Sequence, residues 1–118
     1  MTDRTKYLVS IVEYEFDVDI YKKTNKRVNA TARGIICNIL HNQDNYGIST
    51  IGRMFNLHHS TAFYWIKKID SLIKHNDDLN KRIRVYEKYE SIINLLEQRG
   101  KQKDINDYKK ILTRHLNK

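Results

Sequence analysis

Proline is absent from this chain, and glycine occurs only at Gly34, Gly47, Gly52 and Gly100. With so few breakers and frequent Ile, Leu and Lys, the chain is expected to be mostly helical. Cysteine occurs once, at Cys37. That excludes an intramolecular disulfide and fits a reducing cytoplasm. No apolar run approaches the length of a membrane span, and the first residues lack the basic-then-apolar pattern of a signal peptide. No internal repeat and no low-complexity linker occur. His41, His58, His59, His75 and His115 form no known zinc spacing. The adjacent His58 and His59 are expected to point in different directions on a helix. No Ser-His-acid or Cys-His grouping can be argued from spacing. The expectation is therefore a protein without catalytic activity, metal or other cofactor.

What is present is positive charge. The 118 residues carry a net charge of +8, with a pI near 9.6. One domain is expected at this length. The charge favours a polyanionic partner such as nucleic acid. Its distribution says more. The first twenty residues are net acidic. Residues 21–34 hold Lys22, Lys23, Lys26, Arg27 and Arg33 and no carboxylate.

Apolar periodicity predicts a first helix over about residues 4–16, with Leu8, Ile11 and Val12 as its stripe and Asp3 as its cap. Glu13, Glu15, Asp17 and Asp19 read as a solvated acidic face. Residues 21–28 (YKKTNKRV) read as a polar connector whose cations cannot be buried cheaply. They either keep the loop in solution or meet phosphates. A second helix is expected over about 29–41. Ala32, Ile35, Ile36 and Ile39 share a narrow arc of it, with Leu40 at the edge. Arg33 points away from that arc, and Cys37 packs as a small apolar residue.

Residues 48–73 (ISTIGRMFNLHHSTAFYWIKKIDSLI) organise the rest. A short helix over 47–56 carries Ile48, Ile51 and Phe55 on one side. Asn56 stands where a left-handed cap is wanted, a conformation Asn tolerates. Leu57 and His58 complete a tight turn, and a longer helix follows over 59–74. Ala62, Ile66, Ile69 and Ile73 lie along one direction of it, broadened by Trp65 and Leu72. The opposite stripe, Ser60, Tyr64, Lys67 and Ser71, has no carboxylate, and Asp70 lies off it. The pattern reads as a helix-turn-helix. Its second stripe is either an ordinary solvated face or one that enters a groove.

Beyond the motif, a helix capped by Asp77 or Asp78 is expected to run to Arg99. Its apolar face comprises Leu79, Ile83, Val85, Tyr86, Tyr89, Ile92, Ile93 and Leu96. A last helix is expected over about 103–116, with Ile105, Tyr108, Ile111 and Leu112 inward. These two helices can pair with each other, cover the 59–74 helix, or form a dimer surface.

Over residues 11–73 the chain resembles the C-terminal DNA-binding domain (domain IV) of the bacterial replication initiator DnaA. That family has V-x-E-Y…D-L, a basic connector, R-Q-(apolar)-A, I-G-R-x-(L/F), G-(R/K)-D-H-(S/T)-T and a final R-K-I. The chain has Ile11-Val12-Glu13-Tyr14 with Asp19-Ile20-Tyr21, then Arg33-Gly34-Ile35-Ile36 and Ile51-Gly52-Arg53-Met54-Phe55. It continues with Asn56-Leu57-His58-His59-Ser60-Thr61 and ends in Lys67-Lys68-Ile69. The chain departs from the family at Gly34, Asn56, Leu57, His58 and Trp65. Because the signature Asp is His58, the family's target sequence is not carried over. No G-x-x-x-x-G-K-(S/T) occurs, so the initiator's ATPase domain is not expected here.

The resemblance implies an all-α, Trp-repressor-like helix-turn-helix bundle over residues 1–75. Residues 76–118 would be a helical extension, packed on the bundle or used for dimerisation. It implies a double-stranded DNA-binding protein acting in replication initiation or transcription regulation, in a bacterial or infected-host cytoplasm and of phage, plasmid or bacterial origin. His59, Ser60, Thr61 and Tyr64 would read bases. Lys22, Lys23, Lys26, Arg27, Arg33, Lys67 and Lys68 would meet phosphates or the minor groove. The free amides at the start of the 59–74 helix would suit a phosphate. Partners expected are double-stranded DNA, a second copy through the C-terminal helices, or a replication protein. The alternative is a protein-interaction or virion-associated module that keeps the fold but no longer reads DNA.

Overall fold

The apolar spacing becomes five helices in the computed structural model, which describes residues 1–24, 26–75 and 84–100. They are α1 (Asp3–Phe16), α2 (Arg27–Asn42), α3 (Ile48–Phe55), α4 (His59–Lys74) and α5 (Val85–Gly100). Among the described residues there is no strand, and no helix is long and apolar enough to cross a membrane. The architecture is an all-helical bundle.

Each end has a local cause. Thr2, not Asp3, caps α1: its hydroxyl accepts from the Thr5 amide at 3.1 Å. Asp3 instead places a carboxylate in the first turn, where the helix dipole favours it. Asp17 closes α1 in the left-handed region at φ 52°. The second helix starts at Arg27, two residues earlier than its apolar pattern indicates. Asn56 ends α3 at φ 53°, the left-handed cap that its residue type suggests.

The core forms around α2. Ala32, Ile35, Ile36, Ile39 and Leu40 are completely buried, and Cys37 and Asn38 are buried with them. A helix covered on nearly all sides belongs in the middle of a bundle. Burial pushes the Cys37 thiol up from 9.0 to about 12, so it stays protonated and packs as a small apolar group. Leu8, Ile11 and Val12 of α1, and Ala62, Ile66 and Ile69 of α4, close on α2 from two sides. Each fully buried Ile or Leu contributes about 1.5–3 kcal/mol relative to an exposed one. Ile73, expected on the core stripe of α4, is only partly buried.

Helix α5 begins at Val85, after Arg84 at φ 52°. Val85, Ile92 and Leu96 are buried as their spacing predicts, and Leu95 joins them without having been expected. Tyr86, Tyr89 and Ile93 are half-buried. The face lies against α1 and α4. Tyr7 Oη donates to the Leu95 carbonyl at 3.3 Å, Ser91 donates to Glu15 Oε1 at 3.0 Å, and Lys88 Nζ donates to the Glu15 carbonyl. The expected caps Asp77 and Asp78, the apolar Leu79 and Ile83, and the 103–116 helix lie outside the described residues.

One polar knot ties three helices together. Asn38 Nδ2 donates to the Ile66 carbonyl at 2.9 Å and to Asp70 Oδ1 at 2.7 Å. Its Oδ1 accepts from Tyr89 Oη at 3.1 Å. Asn42 Nδ2 adds a second donor to Asp70 at 3.0 Å. Asp70 is thereby turned inward, toward α2.

Candidate nucleic-acid interface

The connector between α1 and α2 is built by acidic side chains. Glu13 Oε2 accepts from the Ile20 amide at 3.1 Å, and Asp19 Oδ1 accepts from the Tyr21 amide at 2.9 Å. These carboxylates, with that of Glu15, which accepts from Ser91 of α5, do structural work that the solvated-face expectation missed. Ile20 is buried and fixes the loop to the core. Arg33 reaches across from α2. Its Nη1 donates to the Ile20 carbonyl at 3.3 Å and its Nη2 to the Thr24 carbonyl at 3.5 Å. So Arg33 is half-buried and engaged with the connector backbone, whereas Lys22, Lys23, Lys26 and Arg27 are exposed.

The α3–α4 turn depends on Gly52. The amides of Asn56 and Leu57 both turn back to the Gly52 carbonyl, the latter at 2.7 Å. A Cβ on Gly52 would stand 2.7 Å from the Leu57 carbonyl oxygen. That contact is with backbone, so no side-chain rotation relieves it.

His58 is the N-cap of α4. Its Nδ1 accepts from the Ser60 amide at 3.2 Å and lies 2.7 Å from the Ser60 hydroxyl. With Nδ1 accepting both, the ring proton belongs on Nε2. Two expectations are corrected here. The Ser60 amide is taken by His58, and the Thr61 amide donates to the His58 carbonyl at 3.0 Å, so the start of α4 is not a set of free donors. The His58 and His59 rings do not diverge either. Their centroids are 4.4 Å apart, because His58 sits outside the helix. Among the described residues no three His, Cys, Asp or Glu side chains stand together to hold a metal ion.

Beyond its cap, α4 shows one continuous face to solvent. His59, Ser60, Thr61, Tyr64, Lys67 and Ser71 are exposed, and Lys68 is half-buried. Phe63, which the sequence reading passed over, is 47% exposed beside Tyr64 at 55%. Lys67 Nζ lies 5.6 Å from the Phe63 ring centroid. On the opposite side, Trp65 packs over α2 at Gly34. A Cβ on Gly34 would come within 2.7 Å of the indole. Gly34 and Trp65 are thus one feature: the missing side chain makes room for the large one.

Two open grooves join the connector to α4. One, of about 560 Å³, lies between residues 20–24 and the α3–α4 turn and includes Arg33 and Arg53. The other, of about 440 Å³, shares Arg53, Asn56 and Leu57 and runs on to His58 and His59. Tyr21 stacks on Phe55, with ring centroids 6.3 Å apart, and holds the connector to α3. The connector lysines and the start of α4 therefore border one continuous surface. Arg53 lies at its centre, exposed. Its signal in the sequence is a cation opposite the buried Ile51 on a short amphipathic helix. The chain matches no family model, and no curated protein or solved structure matches it.

Proposed function

We propose that this protein binds duplex DNA, with α3 and α4 acting as a helix-turn-helix of the kind found in the DnaA C-terminal domain. The observation that carries the reading is the outer face of α4. His59, Ser60, Thr61, Tyr64 and Lys67 are exposed together, while Asp70 is held inward by Asn38 and Asn42. A helix entering the major groove needs donors, acceptors and apolar contacts, and a face free of carboxylates adds no repulsion from the flanking phosphates. In this reading His59, Ser60, Thr61 and Tyr64 meet base edges, each good contact discriminating by about 1–3 kcal/mol. Lys22, Lys23, Lys26, Arg27, Lys67 and Lys68 neutralise phosphates and release counterions. The role is replication initiation or transcription control.

The test is affinity for duplex oligonucleotides as salt is raised. A steep linear fall of log K with log salt is expected, and Ser60→Ala or Tyr64→Ala weakens binding to selected sequences more than to mixed ones. Absence of duplex binding at low salt refutes the reading. A second reading, a protein-interaction module, has one observation in its favour: Phe63 and Tyr64 form an exposed aromatic pair. Protein interfaces are enriched in such residues. Under that reading Phe63→Ala and Tyr64→Ala leave duplex affinity unchanged.

A further inference from the structure

The groove between the connector and the α3–α4 turn has a composition of its own. Among the described residues lining it are four cations, Lys22, Lys23, Arg33 and Arg53, and no carboxylate. The four are not equivalent. Arg33 spends donors on the Ile20 and Thr24 carbonyls, which sets the path of the connector. Arg53 is exposed, and its Nη2 makes a long 3.4 Å contact with the neutral Thr50 hydroxyl. Glu13, half-buried, and Asp19, exposed, accept from the Ile20 and Tyr21 amides, and neither lines the groove. At about 560 Å³ the groove is ligand-sized, large enough for a phosphate with its flanking sugars. A guanidinium offers paired donors that match a phosphate, which a lysine ammonium cannot.

We infer that this groove seats a backbone phosphate of bound duplex, with Arg53 as the contacting cation, Lys22 and Lys23 flanking it, and Arg33 as a positioning residue. The inference rests on the duplex-binding reading above and deepens it. The neighbouring groove shares Arg53 and continues to His58 and His59. A strand seated at Arg53 therefore runs on to the start of α4, which is where bases would be read. The register of α4 in the major groove is then set from outside α4.

The experiment uses the full chain and duplexes of mixed sequence, with log K measured against log salt. Each phosphate neutralised adds about 0.9 to the slope. Arg53→Gln is expected to lower the slope by about 1 and to weaken binding alike on all sequences. Arg53→Lys is expected to keep the slope, and both variants should melt at the wild-type temperature by circular dichroism. Arg33→Lys keeps charge but loses the fork, so it is expected to shift the amide resonances of residues 20–24 in the free protein, which Arg53→Lys does not. An unchanged slope in Arg53→Gln overturns the phosphate seat while leaving duplex binding intact. Unshifted connector resonances in Arg33→Lys overturn its positioning role. Loss of salt-dependent binding in the wild type overturns both this inference and the reading beneath it.

Discussion

Helices α2 and α4 are each sixteen residues long and pack against each other, yet they meet solvent in opposite ways. In α2 nearly every residue from Thr31 to Leu40 is buried, Arg33 being the exception. In α4 only Ala62, Ile66, Ile69 and Leu72 are buried, and His59, Ser60, Thr61, Phe63, Tyr64, Lys67 and Ser71 form an outer face of hydroxyls, rings and a cation. One helix supplies the core and the other uses it as a mount. The difference teaches where function can be altered without loss of the fold. Substitutions in α2 should act through stability. Substitutions on the outer face of α4 should act through binding.

The comparison predicts a graded series. The largest effect is expected from Ile39→Ala in α2, which removes a completely buried side chain. Denaturant unfolding should show a loss of about 2–5 kcal/mol. Tyr64→Ala on the outer face of α4 should stay within about 0.5 kcal/mol in the same assay. Equal losses in the two variants would erase the distinction between core and mount.

Next in size is Gly34→Ala, which tests the contact between the two helices. Alanine gains about 1 kcal/mol over glycine in a helix interior. Here its Cβ would meet the Trp65 indole at 2.7 Å. Overpacking of this kind costs about 1–3 kcal/mol, so the net change should be destabilising. In a Trp65→Ala background the obstruction is gone, and Gly34→Ala should become stabilising. Failure of the sign to invert would mean that the two positions are not coupled.

A smaller loss than that of the core variant is expected at the start of α4. His58→Ala removes the cap and should cost about 1 kcal/mol by thermal or denaturant unfolding. His58→Asp should hold the wild-type value, since a carboxylate accepts the Ser60 amide equally well. If His58→Ala is neutral, the His58–Ser60 contact does not secure the helix end.

Much of the bundle is legible in local pattern. The stripe Leu8, Ile11 and Val12, the α2 arc, and Ala62, Ile66 and Ile69 are all buried, because a 3.6-residue period is a property of neighbouring residues. The cap at Asn56 is legible for the same reason, since residue type restricts backbone conformation locally. What escaped is tertiary. Asn38 sits within an apolar run, and its partners Ile66, Asp70 and Tyr89 come from two other helices. Gly34 looks like a weak point until Trp65 arrives over it. Arg33 reads as a free cation from its place on the wheel, but the connector carbonyls fold back to it. In each case the missing information is which distant residue is close, and periodicity does not contain it.

The central claim is that the outer face of α4, with the grooves around Arg53, is the surface that meets DNA. It is tested most directly by titrating the isotope-labelled chain with a duplex and following its amide resonances. The account predicts progressive shifts at residues 58–67, at 22–24 and at Arg53, with the amides of α5 unmoved. Shifts confined to α5, or none at concentrations where duplex is bound, would contradict it.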